Sequence, residues 1–277
     1  MGGFLQLARP LNCGMSAVGV GIGGVVAVGS AAWGPSSVSL ALAAAAAAAF
    51  TAGGNALNDL YDRETDRVNH PGRPLPSGRL TISSARVFVA AAFAVSVVLA
   101  ALVTWECVLL VVANACLMLA YEARFKARGV PGNVVIAILV GSLFLFAGLA
   151  VYAGRPDPLL RAATLATLAA LATVGREITK DIEDMAGDVD RRTLPQRIGA
   201  ARAGAAAAAS FLAGAALSLL PWWLGFLGSA YGLVVIVADG MFIYAALHSS
   251  ARPGVAQRVA KYGMIVALVA FLAGGFR

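Results

Sequence analysis

Nine long runs of apolar residues, separated by short polar segments, dominate the pattern of this chain. About 20 apolar residues in a helix cross the hydrocarbon core of a bilayer, and all runs except the short fourth one reach or approach that length. No strand-like alternation is visible, and helices satisfy their own backbone groups in lipid, so each run is predicted to be a transmembrane helix. The runs lie near residues 11–33, 38–58, 83–104, 106–121, 133–153, 159–178, 200–220, 223–247 and 258–276.

The overall composition supports the same interpretation. Apolar residues make up 60% of the 277 positions, charged residues only 13%, and the mean hydropathy is +0.81. A soluble domain carries roughly 25% charged residues. The chain is therefore predicted to be an all-α integral membrane protein with one polytopic domain spanning residues 1–277.

The basic residues are distributed unevenly between the two sides of the predicted bundle. All but three of the 21 lysines and arginines precede the first run, lie in the even-numbered segments between runs or lie at the run ends that border those segments; the exceptions are Arg155, Arg161 and Arg277. The positive-inside rule then places the N-terminus and the even segments in the cytoplasm and the C-terminus outside, in a multi-pass protein of the cell membrane. Because these cations are spread over several loops, they do not indicate a nucleic-acid surface.

One pattern of three aspartates occurs twice. Asp59-x-x-Asp62-x-x-x-Asp66 follows the second run, and the same spacing follows the sixth run 122 residues later, from Asp181 to Asp188. This repetition predicts two four-helix pseudo-repeats and a ninth helix around a central cavity. The first repeat covers about 11–122, with its motif at 55–79; the second covers about 133–247, with its motif at 175–199.

Carboxylates at positions i, i+3 and i+7 share one face of a helix. Asn58, Asp62 and Asp66 line such a strip, and Asp59 flanks it. Acidic groups this close repel one another unless a cation lies between them, and Mg²⁺ is the hard cation that takes oxygen ligands and bridges to phosphates. The alternative is a solvated helix with local ion pairs, such as Asp59 with Arg63.

Basic and aromatic side chains accompany the two acidic faces. Arg176 and Lys180 flank the second motif, where they could bind a phosphate or simply pair with acids of the same helix. Tyr121 and Lys126 end the fourth run, and Asn12 begins the first. A lysine here could bind a phosphate as a point charge, although an interfacial tyrosine beside positive-inside cations is an equally simple interpretation.

Together these features predict the substrate class. Two acidic faces, divalent cations and basic edges suit a diphosphate, and an apolar bundle suits a long hydrocarbon. A polyprenyl diphosphate combines both parts. Ionisation of its allylic C–O bond in a water-poor bundle would allow a nucleophile to capture the prenyl cation.

At this point the motifs resemble those of the UbiA-type intramembrane prenyltransferases. Asn58-Asp59-x-x-Asp62-x-x-x-Asp66 resembles the first family signature, and Asp181-x-x-Asp184-x-x-x-Asp188 resembles the second. The segment around the second motif, including Thr193-Leu194-Pro195, is similar to the archaeal members that join a geranylgeranyl group to geranylgeranylglyceryl phosphate in ether lipid synthesis.

The resemblance, together with the charge pattern, implies a set of site residues and partners. The candidates are Asp59, Asp62, Asp181 and Tyr121 for catalysis; Asn12, Arg67, Lys126, Arg176 and Lys180 for substrate binding; and Asn58, Asp62, Asp66, Asp181, Asp184 and Asp188 for two Mg²⁺ ions. The implied partners are a polyprenyl diphosphate donor, a lipid or aromatic acceptor and the membrane lipid, with no obligate protein partner evident.

Two other functions remain open from the sequence. One is a prenyltransferase of the same family with an aromatic, quinone-precursor or tetrapyrrole acceptor. The other is an ion-coupled transporter, whose repeats would also gather carboxylates. Transporter acids are expected near the bilayer midplane, whereas the six motif aspartates lie at the ends of runs.

Overall fold

The computed structural model describes residues 2–29, 33–186 and 192–276. Within these ranges the chain forms helices α1 Gly2–Ala8, α2 Pro10–Val28, α3 Trp33–Tyr61, α4 Arg63–Asn69, α5 Ile82–Ala101, α6 Trp105–Ala120, α7 Val130–Ala150, α8 Pro156–Glu183, α9 Leu194–Ile198, α10 Ala200–Leu217, α11 Leu220–Trp223, α12 Ser229–His248 and α13 Pro253–Gly275. A π-helical turn, Tyr121–Phe125, extends α6, and a 3₁₀ turn, Asp184–Ala186, follows α8.

The part of the chain that the structure describes contains nine helical spans long and apolar enough to cross a membrane, which confirms the predicted number. The first differs in extent, because α2 ends at Val28 whereas the apolar run was predicted to continue to residue 33. The second span begins earlier than predicted, at Trp33. Hydropathy alone could not place the boundary between the two spans, since the sequence on both sides of it is apolar.

Local sequence explains where several helices begin. Proline occupies the first turn of α2, α7, α8 and α13, where its missing N–H has no helical acceptor to lose. Threonines precede two others: Thr81 accepts a hydrogen bond from Ser84 N at 3.1 Å, and Thr104 accepts one from Cys107 N at 3.2 Å. These side chains satisfy backbone donors that the first turn leaves open.

Small residues allow the helices to pack closely. A methyl group added at Gly148 of α7 would lie 2.4 Å from Ala162 Cβ of α8, and one at Gly24 of α2 would lie 2.5 Å from Leu40 Cδ2 of α3. Ala43 and Ala46, from the alanine-rich part of α3, are fully buried. Because there is no hydrophobic driving force between helices in lipid, the van der Waals packing that such close approach allows contributes to helix association.

Backbone hydrogen bonds outside the helices' own ladders link separate segments at the two ends of the bundle. Arg192 N donates to Ala127 O at 3.0 Å at one end, and Gly228 N donates to Gly274 O at 2.9 Å at the other. The last turns of α3 and α8 lie at the first of these ends, here called the motif end. Both aspartate motifs therefore reach the same end of the bundle, as their spacing predicts.

Candidate active site

The first motif does not keep its carboxylates on a single continuous strip. α3 ends at Tyr61 and α4 begins at Arg63, and Asp62 joins them. Asn58 and Asp62 contact one set of partners, whereas Asp66 contacts another. The predicted strip is therefore divided in the folded protein, because the side chains at its two ends find different partners.

The inner half of the motif surrounds Lys126. Lys126 Nζ lies 2.7 Å from both carboxylate oxygens of Asp62 and 2.9 Å from Glu122 Oε2. Asn58 Nδ2 donates to Glu122 Oε1 at 2.9 Å, and the Glu122 side chain is fully buried. Two carboxylates and one ammonium group leave this cluster with one net negative charge.

The π-helical turn positions this cluster. Glu122 and Lys126 occupy the turn and the residue that follows it, and Lys126 N donates to Tyr121 O at 2.9 Å, a five-residue hydrogen bond. The wider turn changes the direction of the side chains relative to the rest of α6. Single π turns inside α-helices are frequent at functional sites.

The outer half of the motif is held by two arginines. Arg9 Nη2 donates to Asp59 Oδ1, and Arg73 Nη1 lies 3.5 Å from the same oxygen and 2.6 Å from Asp66 Oδ2. Both carboxylates are almost completely buried, with side-chain exposures of 3% and 5%. Arg9 lies between α1 and α2 with a left-handed φ of 52°, followed directly by Pro10. A left-handed residue other than glycine costs about 1–2 kcal/mol, which the buried ion pair helps to offset.

The second motif lies at the end of α8. Asp181 Oδ2 accepts a hydrogen bond from Asn133 Nδ2 of α7 at 2.9 Å, and Asn133 is buried. Asp184 is exposed in the 3₁₀ turn that follows α8. Asp188, predicted as a further metal ligand, lies outside the described residues.

The remaining predicted residues occupy different environments. Asn12 Nδ2 lies 3.4 Å from Asn55 Oδ1 at the motif end, and Tyr121 begins the π-helical turn beside the Lys126 cluster. Arg67 Nη1 pairs with Glu64 Oε2 at 2.7 Å on the exposed side of α4.

The basic pair on α8 is also separated. Arg176 Nη1 donates to Glu177 Oε1 at 2.6 Å, and Lys180 is exposed. The structure therefore gathers Asn58, Asp62 and Lys126, and places Arg67 and Lys180 toward solvent.

Four partners were missed by sequence reasoning: Arg9, Arg73, Glu122 and Asn133. Glu122 could have been noticed because it is an acid at the end of an apolar run. Asn133 had a stronger signal, since Pro131-Gly132-Asn133 repeats the pattern Pro10-Leu11-Asn12 after 121 residues. Arg73 had only its place in the loop after the motif, and the proposed local pair of Asp59 with Arg63 is not the one that forms: Asp59 pairs with Arg9 and Arg73.

The donor chemistry of the motifs fits Mg²⁺. The amide of Asn58 and the carboxylates of Asp62, Asp66, Asp181 and Asp184 supply only hard oxygen atoms. The described residues contain no group of three histidine, cysteine or acidic side chains close enough to hold a metal by themselves. Basic side chains instead occupy the carboxylates of the first motif, so a bound cation would compete with Lys126 and Arg73 for them.

Residues 18–273 of the chain match the UbiA prenyltransferase family. The chain belongs to the UbiA prenyltransferase family. It is 41% identical over 278 residues to digeranylgeranylglyceryl phosphate synthase of Methanopyrus kandleri, with 99% of each chain covered. It is also 38% identical over 274 residues to the synthase of the same name from Halobacterium salinarum, covering 98% of this chain and 96% of the relative.

Solved UbiA structures share the fold. A structure described as digeranylgeranylglyceryl phosphate synthase in membranes superposes with a TM-score of 0.86 at 29% identity, covering 99% of this chain and 98% of its own. A UbiA homolog from Archaeoglobus fulgidus bound to DMAPP and Mg²⁺ has a TM-score of 0.61 at 19% identity, covering 96% and 99%. That second likeness concerns the fold alone.

Membership of the UbiA family confirms several predictions. The protein is a multi-pass membrane protein and an intramembrane prenyltransferase, and the transporter alternative is set aside. Solved UbiA homologs have been captured with prenyl diphosphates and Mg²⁺, and the named relatives are synthases of a lipid product. The residues that perform each role in this chain remain predictions.

Proposed function

We propose that this prenyltransferase transfers a geranylgeranyl group from its diphosphate to geranylgeranylglyceryl phosphate, in the synthesis of archaeal ether lipids. The observation that carries this proposal is the full-length similarity to the Methanopyrus kandleri synthase, at 41% identity. That similarity extends over 99% of both chains, so it is not confined to one repeat or one motif region.

The two motifs provide the ligands for two Mg²⁺ ions in this proposal. Asn58, Asp62 and Asp66 would hold one ion, and Asp181, Asp184 and Asp188 the other. Bound Mg²⁺ would neutralise the negative charge of the diphosphate as it leaves. Asp59 lies on the same turn of α3 as Asn58, and Arg9 and Arg73 hold its carboxylate in place. In this proposal Asp59 thereby orients the ligands of the first ion.

Lys126 is the proposed cationic contact of the diphosphate from the protein itself. Its ammonium group lies between Asp62 and Glu122, so it could exchange its contact with Asp62 for one with a phosphate oxygen, while Asp62 would be free to hold a cation. The allylic C–O bond breaks with its electron pair leaving on the diphosphate, and Tyr121 is proposed to face the allylic carbon.

The acceptor supplies the nucleophile that forms the new bond. Its free hydroxyl oxygen attacks the allylic carbon to form an ether, and its proton passes either to a motif carboxylate or to the released diphosphate. The apolar helices around the site exclude water, which would otherwise capture the allylic cation and give a prenyl alcohol.

The basic residue distribution supports an orientation for the site. We place the N-terminus and the motif end in the cytoplasm and the C-terminus outside the cell membrane, because nearly all the lysines and arginines lie at the motif end. A donor and an acceptor made in the cytoplasm would then reach the site from that side.

A transfer assay with purified protein in detergent tests the proposal. Radiolabelled geranylgeranyl diphosphate and Mg²⁺ are supplied with geranylgeranylglyceryl phosphate or, in parallel, with 4-hydroxybenzoate, and EDTA controls accompany both. Metal-dependent transfer to the glycerol phosphate alone is expected. Transfer only to the aromatic acid would reject the proposed acceptor while keeping the family, and transfer in EDTA would reject the role of the metal.

A further inference from the structure

A cavity of about 350 Å³, open to solvent, lies beside the first motif, between α1 and the loop after α4. Its lining residues are Gln6, Arg9, Asp59, His70, Gly72, Arg73 and Pro74. Every side chain in this lining that carries nitrogen donors comes from outside the transmembrane helices. None of the residues of the Lys126 cluster lines this cavity, so the two form separate polar sites on neighbouring turns of the first motif.

The two arginines of this cavity are fixed in place but are not saturated. Arg9 uses Nη2 to reach Asp59, and Arg73 uses Nη1 to reach Asp59 and Asp66. A guanidinium group carries five N–H donors, so each arginine keeps its Nε and one terminal nitrogen for another acceptor. Carboxylates that hold arginines in one orientation reduce the entropy lost when a phosphate binds to the remaining donors.

Two further polar side chains line the same cavity. Gln6 and His70 are exposed, and neither side chain has a hydrogen bond or ion pair within the described residues. Both can donate to an oxyanion. The combination of two held arginines, an amide and an imidazole is suited to the tetrahedral oxygens of a phosphate group.

The distance between the cavity and the proposed reaction site beside Asp62 is short enough for the two ends of one acceptor headgroup to reach both. Asp59 lines the cavity and Asp62 belongs to the Lys126 cluster, and they are one turn apart, with a rise of about 4.5 Å along the helix. A glycerol backbone that joins a phosphate to a reacting hydroxyl spans a length of that order. A ligand could therefore place its phosphate in the cavity and its hydroxyl near Asp62.

We propose that this cavity binds the phosphomonoester group of the acceptor lipid, with Arg9 and Arg73 as the principal donors and Gln6 and His70 as auxiliary donors. This assignment rests on the proposed function. It is preferred to the predicted pair on α8, because there only Arg176 is held by a carboxylate among the described residues, whereas Arg9 and Arg73 are both held.

Steady-state kinetics on the full-length protein tests the assignment. Gln6→Ala and His70→Ala remove donors that support no other contact, so each is expected to raise the acceptor KM about fivefold to tenfold and leave the donor KM unchanged. Arg9→Lys keeps the charge beside Asp59 but loses the planar fork, and should have the larger effect. The matched control is Arg258→Lys, an exposed arginine of α13 that bonds Gly254 O at 2.8 Å.

A second acceptor, geranylgeranylglycerol without the phosphate, isolates the interaction. With it, the variants and the wild type are expected to have equal acceptor KM, because the group that the cavity recognises is gone. A rise in the donor KM would overturn the assignment in favour of the diphosphate, and an acceptor effect seen only in Lys180→Ala would return the phosphate to α8. If the wild type uses the phosphorylated acceptor and the variants have the same acceptor KM, only the assignment of the cavity is overturned. If the wild type cannot use the phosphorylated acceptor, the proposed function is overturned and this assignment with it.

Discussion

Replacement of Lys126 by methionine separates the structural and chemical roles of the cluster at the first motif. In the folded protein the ammonium group lies 2.7 Å from Asp62 and 2.9 Å from Glu122, whose side chain is fully buried. At an effective dielectric constant of about 20, one such contact has a gross Coulomb energy of about 6 kcal/mol, most of which desolvation offsets. Loss of the cation leaves a buried carboxylate uncompensated, which costs about 3–5 kcal/mol.

The double variant Lys126→Met with Glu122→Gln distinguishes the two roles. The glutamine removes the buried charge and can still accept the hydrogen bond from Asn58 Nδ2, which is 2.9 Å long in the native protein. Most of the lost stability is therefore expected to return. Turnover should stay at least about 100-fold below wild type in both variants, because no cation faces the leaving diphosphate.

Thermal unfolding in detergent and the prenyl transfer assay measure the two quantities on the same preparations. The matched control is Lys261→Met, which removes an exposed lysine of α13 and should change neither quantity. A double variant as unstable as Lys126→Met would refute the argument from buried charge. A double variant with recovered turnover would refute the role of Lys126 toward the diphosphate.

Three other changes test separate parts of the site. Asp62→Ala and Asp184→Ala should each abolish turnover while leaving the protein folded, which its elution profile checks. Full activity in either variant would reject the two-metal assignment. Asn133→Ala removes a hydrogen bond worth about 1 kcal/mol to the first aspartate of the second motif, so half-maximal activity should need more Mg²⁺; an unchanged Mg²⁺ titration would contradict this. Gly129→Ala places a methyl group 2.7 Å from a backbone nitrogen at a φ of 66°. It should lower the unfolding temperature clearly more than Gly78→Ala, where φ is similar but the space around the residue is open. Equal falls in unfolding temperature would show that backbone strain, and not the steric contact, causes the loss.

Most of the nine spans found among the described residues could be located from the sequence, because each depends on local composition. A segment in lipid must satisfy its backbone within its own helix, so length and hydropathy locate it, except where two spans adjoin through an apolar connection, as between α2 and α3. The fourth span illustrates this, since its predicted range of 106–121 corresponds to α6, Trp105–Ala120. The repetition of the aspartate motif after 122 residues likewise predicted that both motifs would reach one end of the bundle, because four helices between them restore the same direction.

The partners of the motif carboxylates could not be predicted in the same way. Asp59 pairs with Arg9, 50 residues away, and Asp62 pairs with Lys126, 64 residues away. Local spacing suggested pairs within one helix, such as Asp59 with Arg63, because i and i+4 neighbours are visible in the sequence and distant helices are not. Packing of α1, α3 and α6 decides which basic groups come within reach.

The sequence by itself therefore determined the membrane class, the family and the number of spans found among the described residues, since these follow from composition and from motifs of adjacent residues; the chemical nature of the site stays a prediction from the same motifs. Only the tertiary structure divided the first motif between Lys126 and the two arginines, and only it formed the cavity beside Asp59. These features depend on where separate helices meet, and the close approach of small residues such as Gly148 and Ala162 sets those meeting points.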